Sequence, residues 1–211
     1  ETYLEQRIVK TEMSKAFVCH QPIGTVFAIM PWNFPFWQVF RFAVPTIMAG
    51  NTAIFKHAPI STGTGEAIEA LFLDAGFPPY VFQHGILSNT MAANVIAHPF
   101  IAALSFTGSE DTGRTLASLA GQHIKKCVLE LGGNDPYLVF ADADLDLAAK
   151  NIVASRLSNC GQVCIAAKRI IVIESVHDEL VEKIIVLMRV FQMGDPLLST
   201  TTLGPMARGD L

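Results

Sequence analysis

The chain has 211 residues, 51% of them apolar and 16% charged, with a formal net charge of −4. That balance supplies a substantial core and excludes a disordered chain, which needs low hydrophobicity and high net charge. It also gives no basic surface for nucleic acid, since Lys125-Lys126 is the nearest thing to a cationic run.

Strand and helix signals alternate along the sequence. Residues 24–30 form an apolar run closed by Gly24 and Pro31, which predicts a buried parallel strand. A helix follows, with Trp37, Phe40, Val44 and Ile47-Met48 as its apolar positions and Pro45 as a point of kinking. Residues 52–56 predict a second strand. Ser61 or Thr62 is expected to cap a helix that carries Ala67, Ile68, Leu71 and Phe72 on one face and stops before Gly76. Tyr80 to Phe82 reads as a third strand, 91–97 as a short helix, 102–106 as a fourth strand, 109–120 as a helix and 126–131 as a fifth strand. This alternation predicts an α/β fold, a Rossmann-like parallel sheet.

Beyond Gly132-Gly133 the pattern restarts. A strand at 137–140 leads to a helix capped by Asp144 or Asp146 and running to about Ser158, then a strand at 169–173 and a helix from His177 to Val190. The expected division is a segment at 1–22 forming a hairpin or sheet edge, a partial cofactor-binding domain at 23–133, and the first part of an α/β catalytic domain at 134–211. The chain opens on Glu1 and closes just after a Gly-Pro turn, which predicts a piece of a longer protein.

The cysteines, Cys19, Cys127, Cys160 and Cys164, match no disulfide framework and no paired zinc-ligand spacing, so no metal is expected. The apolar stretches are interrupted well short of the ~20 residues that cross a bilayer, so no membrane partner is expected. Residues 1–15 are charged and polar, and the expected compartment is the cytoplasm.

Four short segments fall at strand ends or helix starts, the edge of an α/β sheet where ligands bind. They are Pro31-Trp32-Asn33-Phe34-Pro35, Phe106-Thr107-Gly108-Ser109, Glu130-Leu131-Gly132-Gly133 and Gly161-Gln162-Val163-Cys164. In this order and separation they strongly resemble the aldehyde dehydrogenase superfamily, from about Val18 to the end. Lys56-His57-Ala58-Pro59, residues 125–133 and Leu203-Gly204-Pro205-Met206-Ala207-Arg208 resemble, more narrowly, the short bacterial succinate-semialdehyde dehydrogenases.

The resemblance implies an NAD- or NADP-dependent oxidation of a small aldehyde, with succinic semialdehyde as the expected substrate. It makes Cys164 the nucleophile. Hydride leaves a tetrahedral sulfur adduct more readily than a free carbonyl, and a thiol of pKa ~8.5 needs activation to attack at neutral pH. Glu130 is the expected base for thioester hydrolysis, and its apolar and glycine neighbours predict a partly desolvated carboxylate. Asn33 is the expected oxyanion donor, together with the Cys164 amide. Cys160 is expected to pack, or to form a disulfide with Cys164.

On the cofactor side the resemblance implies contacts from Met30, Trp32, Lys56, Thr107, Gly108, Ser109, Leu131 and Gly132. The amides opening the helix at Ser109 suit a phosphate, and Ser109 doubles as a cap. Three positions after Lys56, where NAD-preferring members carry a glutamate, stands Pro59, so a 2′-phosphate meets no repulsion there. Arg41, eight residues after Asn33, matches an arginine that binds a substrate's distal carboxylate. A second such arginine, six residues before the nucleophile, is replaced by Ser158, and Arg156 is about 200° away on a helix. His57, His84 and His98 read as turn or packing residues. The family forms homo-oligomers, and one is expected for the parent protein. Two alternatives stay open: a CoA-acylating dehydrogenase, which usually dispenses with the glutamate, and a non-catalytic cofactor-binding piece.

Overall fold

The computed structural model describes residues 2–211. The chain divides into two compact units, with the break between Leu131 and Gly132. The first unit begins with a small antiparallel hairpin, β1 (Arg7–Ile8) against β2 (Phe17–Val18). Its main body is β3 (Thr25–Met30), α1 (Trp37–Met48), β4 (Thr52–His57), α2 (Thr62–Asp74), β5 (Phe82–His84), α3 (Asn89–Ala97), β6 (Ile101–Thr107), α4 (Glu110–Gln122) and β7 (Lys126–Glu130). The five strands form one parallel sheet in the order β5-β4-β3-β6-β7. The first strand of the sheet is therefore central, and the order reverses between β3 and β6. That reversal opens the crevice at the carboxyl edge where ligands of such sheets sit.

Period-two side chains make β3 the spine of two cores. Ala28 and Met30 pack with Val39 and Ala43 of α1 and Ile68 of α2. Phe27 packs with Ala92 and Ile96 of α3 and Ala120 of α4. Both faces are covered, which is why this strand reads as an unbroken apolar run.

Three sequence expectations are corrected. The buried face of α1 is Gln38, Val39 and Ala43, with Phe40, Phe42 and Ile47 packed beside them, whereas Trp37, Val44 and Met48 are each more than half exposed. Val39, Ala43 and Ile47, each four apart, share one side of the helix, and the small Val39 and Ala43 are the residues that face β3. The third strand is Phe82–His84, and Tyr80 has a left-handed backbone (φ 72°) outside it. Pairing of Ala53 with Phe82, stacking of Phe82 on Phe55 at 4.8 Å and a bond from the His84 amide to Glu69 at 3.0 Å fix the later register. Neither Ser61 nor Thr62 caps α2 with its side chain. The helix is entered through a 3-10 turn at Pro59–Ser61, and the Thr62 hydroxyl donates back to the Pro59 carbonyl.

Gly65 of α2 has a structural reason to be glycine: a Cβ there would run into the His84 ring. Phe55, fully buried, lies against Phe82 and His84. Phe55→Ala is expected to cost the first unit about 3–5 kcal/mol, the usual loss for a buried aromatic with its cavity, read as a lowered urea midpoint at unchanged slope.

The second unit holds β8 (Pro136–Val139), α5 (Leu145–Leu157), β9 (Arg169–Val172) and α6 (His177–Met188). β8 and β9 pair in parallel, and Val139, Ala149, Ile152 and Leu180 form the core beneath them. Asp144, not Asp146, caps α5, accepting from the Leu147 amide at 3.0 Å. Asp146 pairs with Lys183 of α6 instead.

Candidate active site

The Asn33 turn leaves the end of β3 and is tied down from β4. His57, buried, donates through Nε2 to the Pro35 carbonyl at 2.8 Å, and the Ala58 amide bonds the Met30 carbonyl at 3.0 Å. Burial lowers the His57 pKa, with the Pro35 bond opposing it, and burial lowers that of His84, 6.4 Å away ring to ring. His57 thus braces the turn that carries half-buried Trp32 and Asn33.

Glu130 ends β7, where Lys126, Val128 and Glu130 form the exposed face of an edge strand. The partly desolvated carboxylate expected from its neighbours is not found: Glu130 is 48% exposed and ion-paired with Arg41 of α1. Its flanking leucines point to the other face, so they do not dry it. Arg41, 44% exposed, is held in that pair rather than standing free. Both line a cleft of about 320 Å³ between α1 and strands β6 and β7, with Gln38, Thr107 and Lys126 also on its walls.

A second cleft, about 380 Å³, opens on the opposite face between α3 and α4, with Lys56 at its sheet side and Asn89, Asp111, Thr112, Thr115 and Leu116 around it. Lys56 is 7% exposed, and among the described residues its ammonium has only the His57 carbonyl, at 3.4 Å. Burial lowers its pKa. A buried cation with no ion-pair partner among the described residues is a costly arrangement that an anion relieves, so the donor set fits a phosphate-bearing cofactor. Pro59 adds no carboxylate nearby in sequence. Sequence reasoning missed the walls of this cleft, because small polar residues on α3 and α4 look like ordinary helix surface.

At the crevice, Gly108 follows β6 and its amide bonds the Glu130 carbonyl at 3.0 Å. Phe106 lies where a Cβ on Gly108 would go. Ser109 caps α4, accepting from the Thr112 amide and donating to the Thr112 hydroxyl at 2.9 Å. Leu131 packs where a side chain on Gly113 would go. Gly132 begins the second unit, with open space around its Cα.

In the second unit Cys164 lies on the connection from α5 to β9. After α5 the backbone turns through Asn159, Cys160 and Gly161, all left-handed (φ 47°, 57° and 79°). Two non-glycine residues in that region cost of order 1–3 kcal/mol each and mark a shaped loop. A Cβ on Gly161 would meet the Arg156 carbonyl and guanidinium at 3.1 and 3.2 Å. Gln162 clamps the loop: its amide nitrogen donates to the Asn159 carbonyl at 3.0 Å, and its oxygen accepts from the Ala207 amide at 2.9 Å. Cys160 donates to the Gly204 carbonyl at 3.3 Å. The Gly204–Arg208 motif thus holds the loop from outside. Cys164 is half-buried, its carbonyl bonded by Lys168, and all four cysteines are free thiols.

Over residues 1–210 the sequence matches the family described as the aldehyde dehydrogenase family. The chain belongs to the aldehyde dehydrogenase family. It is similar to a probable succinate-semialdehyde dehydrogenase [NADP(+)] of Synechocystis, 47% identical over the whole chain, which covers 46% of that relative. It is also similar to a succinate semialdehyde dehydrogenase [NAD(P)+] of Escherichia coli, 46% identical over 95% of the chain and 43% of the relative. The crystal structure of succinic semialdehyde dehydrogenase from Streptococcus pyogenes in complex with NADP+ superposes with a TM-score of 0.93, at 35% identity, over 96% of this chain and 44% of that one. The chain thus spans just under half the length of these aldehyde dehydrogenase relatives. No helix among the described residues is long and apolar enough to cross a membrane.

Proposed function

We propose that the protein carrying this chain oxidises a small carboxylated aldehyde, succinic semialdehyde, to the acid with NADP or NAD. The observation that carries this reading is the placement of Arg41, Glu130 and Thr107 on one cleft at the carboxyl edge of the parallel sheet, in a chain similar throughout to succinate-semialdehyde dehydrogenases.

In this reading the Cys164 thiolate adds to the aldehyde carbon, and the oxygen takes up the electron pair as an oxyanion. Asn33 and the Cys164 amide are the donors proposed to hold it. A bound nicotinamide supplies the hydride acceptor that turns the sulfur adduct into a thioester. Glu130 then removes a proton from water as the water oxygen bonds the thioester carbon. The carbon–sulfur bond breaks, the thiolate is regenerated and the acid leaves. Lys56, with Thr107, Gly108, Ser109, Met30, Trp32, Leu131 and Gly132, would hold the cofactor. The hairpin of β1 and β2, with exposed Ile8, Phe17 and Val18, is the segment proposed for homo-oligomer assembly.

The test follows reduced-cofactor absorbance with succinic semialdehyde, offering NAD and NADP separately, to a polypeptide of full family length carrying this sequence. Acid formation dependent on Cys164 supports the reading, and its absence sinks it. Lys56→Ala is expected to weaken NADP binding about 10- to 100-fold, the worth of a charge-assisted contact, in a fluorescence titration without substrate. NAD should lose less, having no 2′-phosphate.

A further inference from the structure

We propose that Arg41 gates the base: a substrate carboxylate arriving on Arg41 displaces Glu130, and only then is Glu130 released to hydrolyse the thioester. The inference rests on the function proposed above and makes Arg41 a positioning residue for Glu130 as well as a receptor for substrate.

Three observations carry it. The Arg41–Glu130 pair joins α1 to β7 across 89 positions of sequence, so it is a tertiary contact rather than a local helix pair. Both partners are nearly half exposed, and pairs of that kind are weak enough for a competing carboxylate to exchange. The cleft they share is set up to receive one. Its charged wall residues are Arg41, Lys126 and Glu130, so a single negative charge is already matched by two positive ones. One turn before Arg41, Gln38 is 6% exposed, and its Oε1 has no hydrogen-bond partner among the described residues. A buried amide oxygen left unsatisfied calls for a donor, and a guanidinium N–H freed from Glu130, three residues along the same helix, is one.

The consequence is selection by chemistry as well as by binding. A carboxylated aldehyde occupies Arg41 while its thioester is on Cys164, so Glu130 is available to take the proton of the attacking water. A neutral aldehyde leaves the pair intact, acylates Cys164 and waits.

Butanal, which has the four carbons of succinic semialdehyde but no carboxylate, separates the outcomes in the full-length protein. With wild type, mass spectrometry should find a butanoyl adduct accumulating on Cys164 during turnover, and added acetate should raise the steady-state rate saturably. In Arg41→Ala the butanal kcat should rise about three- to fivefold, the adduct should shrink and acetate should lose its effect, while KM for succinic semialdehyde rises. If Arg41→Ala raises that KM but leaves butanal turnover and adduct unchanged, Arg41 only binds substrate and the gate is overturned. A fall in butanal turnover in the variant also overturns it. Succinic semialdehyde giving no Cys164-dependent acid overturns the functional reading and the gate together.

Discussion

Replacing Cys164 with alanine is expected to lower turnover by about 10⁴-fold or more while NADP binding stays intact. Without the sulfur there is no covalent adduct from which hydride can leave and no thioester to hydrolyse, so the loss is that of a pathway rather than of one interaction. The loop itself should survive. Its clamps are the Gln162 bonds to Asn159 and Ala207, the Cys160 bond to Gly204 and the Lys168 bond to the residue-164 carbonyl, and none uses the Cys164 thiol. The cleft holding Lys56 lies wholly within the first unit, so a cofactor titration should give the wild-type constant. Retained turnover would remove Cys164 from the chemistry, and lost cofactor binding would show that the loop does more than carry a nucleophile.

Glu130→Gln should separate the two halves of the reaction. An amide cannot take the proton of the attacking water, and removal of a positioned base typically costs 10²–10⁴-fold. The first turnover should still release one equivalent of reduced cofactor, after which the acyl group stays on sulfur and is countable by mass spectrometry. The Arg41 contact adds a second signature. Glutamine presents no charge to the guanidinium, so succinic semialdehyde should meet an unpaired cation and show a lower KM. A variant slow in its first turnover would place Glu130 in the oxidative half instead.

How far these residues were legible in sequence depends on what defines each one. β3 and β4 are buried on both faces, so their apolar runs between Gly24 and Pro31 and after Asn51 announce them. Ser109 and Asp144 were legible as caps because a short polar side chain before an apolar period has few other uses. The face of α1 is harder to read, since the bulky Trp37, Val44 and Met48 stay more than half exposed while the smaller Val39 and Ala43, four apart, take the place against β3. β5 is hard to place because Gln83 and His84 look like loop, although the register with β4 and the Glu69 contact make them strand. The setting of Glu130 is hidden for a related reason: sequence neighbours on a strand point to opposite faces, so Leu129 and Leu131 say little about what surrounds it. Arg41 stands 89 positions away, and no local pattern connects the two. The bonds from Cys160 to Gly204 and from Ala207 to Gln162 are equally non-local, resting on a segment past residue 203.

The central place of β3 also shapes how the first unit comes together. Ala28 pairs with Phe55 on one side and with Ser105 on the other, so one flank of the sheet closes over a short stretch of chain and the other over a long one. Closing the longer loop carries more entropy and comes later. As the chain emerges from a ribosome, β3, β4 and β5 with α1 and α2 can assemble before β6 exists. Until then the edge of β3 that pairs with β6 has its backbone groups unpaired, and the face carrying Phe27 and Ile29 lacks the cover of α4. The strand that organises the finished sheet is thus the one most exposed to mispairing while it is being made.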